Sequence, residues 1–128
     1  MSGAALRSVF LLVRDLARSR RFYETLAGRA PEKVSAHEVR FAWDGATLTL
    51  HVDLPEAERP RWGIPEEPAR RGWGVYLTFR TRDVDALAAA AVEAGGRLVL
   101  APAEAPWGGR FAILEDPDGY TVEIGAEG

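Results

Sequence analysis

The residues with chemical potential in this chain sit at alternating positions of short apolar runs. Glu123 lies between Val122 and Ile124. A carboxylate inside a β-prone run is either solvent-facing or aimed into a pocket, because side chains alternate along a strand. If burial raised its pKa, Glu123 could act as a general base with Tyr76 as a hydrogen-bond donor. Ser8 and Thr49 supply further hydroxyls, Thr78 follows Tyr76 by two positions, and His51 follows Thr49 by two. Phe10, Trp43, Tyr76 and Trp107 are aromatics suited to a planar ligand. There is no cysteine, which removes thiolate nucleophiles, thiolate metal sites and disulfides.

Positioning these groups falls first to Arg110–Ile124. Two β-prone runs there flank Asp116-Pro117-Asp118-Gly119. Pro117 presets its own φ and Gly119 supplies a positive φ, so the stretch is predicted to be a hairpin. It has an echo. Arg40-Phe41-Ala42 matches Arg110-Phe111-Ala112, and Ala46–Leu50 follows Asp44-Gly45 as Tyr120–Ile124 follows Asp118-Gly119. Ser8–Leu11, leading to Asp15-Leu16, parallels Tyr76–Phe79, leading to Asp83-Val84, at an offset of 68 residues. Three matches in one order indicate a duplicated unit.

In each copy an aspartate, Asp15 or Asp83, is placed to cap a helix with one apolar face. Gly28 and Gly95-Gly96 close those helices. Strands are expected at residues 6–13, 32–34, 39–43 and 46–52, then at 74–80, 97–100 and the two arms of the hairpin. Pro102 to Pro106 is expected to be loop. The order βαβββ thus occurs twice. Arg18, Arg20 and Arg21 share the polar side of the first helix, as an anion site or simply a solvated face. The chain divides into module one (5–53), a proline-rich linker (54–72) and module two (73–126), forming one domain over 1–128. In the linker, Trp62 either covers a ligand or pins the connection to the surface. His37 is expected in a turn.

Alternation assigns faces. Val9, Leu11, Val13, Leu48, Leu50, Val52, Val75, Leu77, Phe79, Val122 and Ile124 should pack under the helices. Ser8, Phe10, Thr49, His51, Tyr76, Thr78 and Glu123 fall on the other face, in a trough of mixed polarity suited to a small molecule. Under the duplication Ser8 corresponds to Tyr76 and Thr49 to Glu123.

The 128 residues suit a single domain, and 47% hydrophobic content is ordinary for a globular protein. A net charge of −3 provides no footprint for nucleic acid. No apolar stretch is long enough to cross a bilayer and the start does not read as a secretion signal, so a cytoplasmic protein is expected.

Asp15–Tyr23 with Leu26-Ala27-Gly28 resembles the first-helix signature of the vicinal oxygen chelate superfamily, which includes glyoxalase I, bleomycin resistance proteins and extradiol dioxygenases. Pro106–Phe111, Asp116–Tyr120 and Val122-Glu123-Ile124 resemble its C-terminal signature, and Gly74–Phe79 with Asp83-Val84-Asp85 fits its middle. The resemblance implies an α+β fold in which two βαβββ modules form a cupped, eight-stranded mixed sheet with helices outside. It also implies a homodimer. Metal-dependent relatives bind a divalent ion in four slots that fall here on Ser8, Thr49, Tyr76 and Glu123, of which only Glu123 keeps a ligand identity. A shift of two residues would pair His51 with Glu123. A catalytic metal needs about three good protein ligands.

Two functions follow as expectations. The first is a metal-free trough, without cofactor, binding a small aromatic or cationic molecule against Ser8, Phe10, Trp43, Thr49, His51, Tyr76, Thr78, Trp107 and Glu123. Acidic linker residues Glu56, Glu58, Glu66 and Glu67 either favour a basic ligand or are simply solvated. The second is an enzyme: a metal-dependent lyase, isomerase or dioxygenase, or a metal-free catalyst using Glu123. A protein-interaction module is a third option.

Overall fold

The computed structural model describes residues 2–64, 67 and 70–126; Pro65, Glu66 and Pro68 of the linker lie outside the described residues. The elements in order are β1 (Ser8–Val13), α1 (Leu16–Ala27), β2 (Lys33–Val34), β3 (Glu38–Trp43), β4 (Ala46–Val52), β5 (Tyr76–Arg80), α2 (Val84–Glu93), β6 (Arg97–Glu104), β7 (Arg110–Glu115) and β8 (Thr121–Gly125). Two single-turn 3₁₀ segments, Glu56–Glu58 and Pro60–Trp62, lie in the connection. The βαβββ order is present in both halves.

The strands form two four-stranded mixed sheets, β1-β4-β3-β2 and β5-β8-β7-β6. In each, the first strand runs parallel to the last and the remaining pairs are antiparallel. The eight strands are therefore shared between two ladders, and β1 and β5 are both edges. This explains why Val9 and Tyr76 stay exposed although their partners, Leu48 on β4 and Thr121 on β8, are buried; Val75, expected to pack under a helix, precedes β5 and is exposed. Alternation gives the faces correctly, but an edge strand has a covering neighbour on one side only.

Both helices begin as expected. The Asp15 carboxylate accepts from the Arg18 amide and that of Asp83 from the Ala86 amide, satisfying donors that a helix start leaves free. Phe22, Tyr23 and Leu26 of α1 and Val84, Ala88 and Ala91 of α2 are buried against the sheets in a core shared by both modules. Gly96 permits the close approach of α1: a Cβ there would lie 2.5 Å from the Phe22 ring. The α1 arginines have internal partners. Arg20 pairs with Glu24, Arg21 donates to the Glu93 carbonyl at the end of α2, and Arg18 lies 3.6 Å from Asp118.

One strand differs from expectation. β6 continues through Pro102 to Glu104, where a loop was expected. It is an edge strand, and its register against β7 shifts between Leu98 and Leu100 and again before Ala103. Bulged edge strands tolerate proline because one side of the backbone needs no partner.

The modules are joined by buried polar groups. The β7–β8 turn presents Asp116 and Asp118, both buried, to α1. Asp116 accepts from the Tyr23 hydroxyl at 2.5 Å, and Asp118 from the Ser19 hydroxyl at 3.1 Å and the Arg14 amide at 3.0 Å. The Tyr120 hydroxyl donates to the Leu12 carbonyl at 2.8 Å. At the other end of the connection, buried Arg71 makes a two-pronged contact with Asp53 at 2.8 Å on each arm, and also donates to Glu67 and the Leu12 carbonyl.

Candidate functional site

The open face of the first sheet, turned away from α1, carries Ser8, Phe10 and Leu12 on β1, with Thr47, Thr49 and His51 opposite them on β4. Thr49 is buried between Phe10 and its other neighbour, Arg40. His51 pairs along the ladder with Leu12 and Glu38. The Phe10 and His51 rings stack with centroids 5.4 Å apart and planes inclined by 27°. After β4 the chain turns back past this face. Leu54, Trp62 and Ile64 join Phe10, Leu12 and His51 around a cavity of about 410 Å³. That volume suits a small molecule, and the lining side chains among the described residues are hydrocarbon apart from the imidazole and the indole N–H.

Two further hollows are less suited. One of about 210 Å³ shares Leu12, Leu54 and Ile64 and is otherwise walled by Asp53, Arg59, Glu67 and Arg71. Its charges are spent on one another: Arg71 on Asp53 and Glu67, and Arg59 on Glu67. The Arg71 guanidinium holds the Asp53 carboxyl below the usual carboxylate range, and its own pKa is raised chiefly by the hydrogen bonds to Asp53. The other, about 510 Å³, lies between the two edge strands and is lined by Val9 and Thr47 on one side and Tyr76, Thr78 and Phe79 on the other.

The expected site residues thus separate. Phe10 and His51 share the apolar cavity with Trp62. Tyr76 and Thr78 line the slot between sheets, together with Trp43. Trp43 does not meet Phe10. It shares the helix-covered face with Val39 and Phe41, with its ring 6.0 Å from that of Phe79. Trp107, in the β6–β7 turn, is exposed and packs edge-on against Phe111 at 5.0 Å. Ser8, half-buried, begins β1 opposite Thr47. Glu123 is half-buried on the open face of the second sheet between Thr78 and Ile113, with no hydrogen bond or ion pair among the described residues.

No sequence signal marks Leu54 and Ile64 as lining residues. Both lie in the connection, where no alternation assigns a face. Asp116 and Asp118, within the predicted turn, carry no sequence signal of burial. Burial pushes the Asp116 carboxyl up, while Tyr23 and the Tyr120 and Asp118 amides draw it back, and burial first, then Asp116, raises the Tyr23 phenol.

A divalent metal does not fit this donor set. No three His, Asp or Glu side chains cluster among the described residues. His51 and Glu123 stand on different sheets, and none of the three cavities is lined by both. Three hydroxyls and one carboxylate make a weak site for any first-row ion.

Known proteins resemble this chain over its whole length. A glyoxalase-related enzyme from Fulvimarina pelagi superimposes with a TM-score of 0.80 at 26% identity, covering 99% of this chain and 89% of that one. A glyoxalase/bleomycin resistance protein/dioxygenase family enzyme from Burkholderia phytofirmans PsJN has the same fold, with a TM-score of 0.79 at 22% identity over 96% of this chain and 98% of that one. In sequence, "Putative glyoxylase CFP32" of Mycobacterium bovis and of Mycobacterium tuberculosis is 45% identical over 67 residues, which are 52% of this chain. The match spans 23% of the length of those curated relatives. The model of the Glyoxalase/Bleomycin resistance protein/Dioxygenase superfamily matches residues 5–124, and with its two βαβββ modules the chain belongs to that superfamily.

Proposed function

We propose that this protein binds a small planar molecule in the cavity bounded by the Phe10–His51 stack and the Trp62-bearing connection, without a metal. The observation that carries this reading is the lining: Phe10, Leu12, His51, Leu54, Trp62 and Ile64 enclose about 410 Å³ with no carboxylate or cation among them. Such a wall favours an uncharged aromatic ligand over a cation, since a charge entering it would lose hydration without gaining a partner. Two rings and an indole around one space suit stacking, each aromatic contact adding about 0.5–1.5 kcal/mol beyond buried area. No helix is long and apolar enough to span a membrane among the described residues. On the resemblance given above we take the protein to be a homodimer, which sedimentation tests, and on the lack of a signal-like start we place it in the cytoplasm.

The test is a fluorescence titration with bicyclic aromatic probes against the wild type and Phe10→Ala. Saturable binding weakened by the substitution supports the reading, and binding indifferent to it sinks the assignment of the pocket.

A second reading has its own observation. Glu123 is half-buried on the open face of the second sheet without a partner among the described residues, as a general base would be before substrate arrives. If Glu123→Gln changes neither turnover in a substrate screen nor probe binding, catalysis at this carboxylate is excluded.

A further inference from the structure

The apolar cavity contains one nitrogen whose state is fixed by the backbone. His51 Nδ1 lies 2.7 Å from the Val52 carbonyl oxygen. A carbonyl oxygen only accepts, so Nδ1 carries the hydrogen of that bond. In the neutral ring the lone pair is therefore on Nε2, and the tautomer is set by a contact outside the cavity. The stack with Phe10 constrains the ring plane. Glu38, the ladder neighbour of His51, is engaged by Lys33. Apart from the imidazole, the lining side chains among the described residues are hydrocarbon except for one donor, the indole N–H of Trp62, a residue 59% exposed at the rim.

A lone acceptor in an apolar wall discriminates strongly by hydrogen-bond polarity. A ligand that brings an O–H or N–H gains a bond, whereas one that fills the same space without a donor leaves Nε2 desolvated and unpaired. Resting on the pocket reading above, we propose that His51 accepts a hydrogen bond at Nε2 from the ligand. The site then selects planar aromatic molecules with a hydroxyl or ring N–H at one edge, with phenols and fused-ring lactams as the chemical class. The ring system lies among Phe10, Leu54, Trp62 and Ile64, and its donor edge meets His51.

The experiment compares a naphthol with its methyl ether, which has the same ring and oxygen but no donor. The wild type should prefer the naphthol by about fivefold to tenfold, the worth of one net hydrogen bond. His51→Leu should bind both probes alike, and His51→Gln, which retains an acceptor, should keep part of the preference. In the wild type the imidazole Nε2 resonance should shift on adding naphthol while Nδ1 stays; this reading survives any folding defect of the variants. Equal affinities in the wild type, a preference that persists in His51→Leu, or an unmoved Nε2 resonance overturns the inference and leaves the pocket standing. Failure of both probes to bind the wild type overturns the pocket reading and the inference with it.

Discussion

The Tyr23 hydroxyl lies 2.5 Å from Asp116 Oδ2, tying the first helix to the last hairpin across 93 residues of chain. Both groups are buried, and the other oxygen of Asp116 accepts the amides of Asp118 and Tyr120. The bond therefore does two jobs. It shapes the β7–β8 turn through Asp116, and it docks that turn on α1.

Tyr23→Phe keeps the ring in the core and removes only the donor. Asp116 Oδ2 is then buried without its partner. We expect a loss of about 1–3 kcal/mol, the cost of leaving a buried polar atom unsatisfied. Urea unfolding checks this: the midpoint should fall with little change in slope. An unmoved midpoint would show that the modules do not depend on this joint.

Gly72→Ala tests the same joint from the linker side. Gly72 has φ +68°, and a Cβ there would stand 2.4 Å from the Tyr120 ring. The ring cannot withdraw without breaking the bond from its hydroxyl to the Leu12 carbonyl. Backbone strain and overpacking together should cost about 2–4 kcal/mol. Thermal melting should show the loss, and a melting temperature equal to the wild type would contradict the packing described.

The Asp53–Arg71 pair sets an acid limb. Hydrogen bonding from Arg71 lowers the folded-state pKa of Asp53, outweighing its partial burial. A depressed carboxylate stabilises the fold above its unfolded value, about 3.9, and the contribution is lost as pH falls through the lower folded value. Asp53→Asn should therefore cost most near neutrality, and its deficit relative to the wild type should shrink below about pH 4. Asp116 has the opposite sign: its raised pKa makes the folded chain the better proton acceptor, which favours folding as pH drops through that value. Unfolding midpoints of wild type and Asp53→Asn across that range check the sign. A deficit constant with pH would show that the pair contributes no linkage.

Trp62→Ala separates ligand contact from stability. Trp62 is 59% exposed and lines the cavity beside Phe10 and His51. Its loss should shift the melting temperature by no more than about 3 °C, since exposed substitutions change stability by about 0.5 kcal/mol or less. Affinity for an aromatic probe should drop about threefold to tenfold. Unchanged affinity would assign Trp62 to holding the connection on the surface.

The sequence states the fold more plainly than the site. Apolar alternation and paired Asp caps are local signals, and they locate α1, α2, β4 and β7 closely. The duplication then supplies the topology. β6 escapes because its prolines suggest loop unless its edge position and bulges are known. The site depends on contacts that no local signal carries. Phe10 and His51 sit two ladder positions apart in character but meet face to face only because β1 lies parallel to β4. Trp43 looks equivalent to Phe10 as an aromatic in a strand, yet its parity in β3 turns it toward the helices. Leu54 and Ile64 become lining residues through the path of an irregular connection, and Asp118 becomes a buried joint because a helix from the other module covers it.

The most direct measurement is a nitrogen–proton and methyl NMR titration of the wild-type protein with a naphthol. Shift changes should concentrate at Phe10, Leu12, His51, Leu54, Ile64 and the Trp62 indole, with Tyr76 and Glu123 unmoved. Changes centred on Tyr76, Thr78 and Glu123, with the Phe10–His51 group silent, would place the site on the second sheet and contradict the pocket assignment.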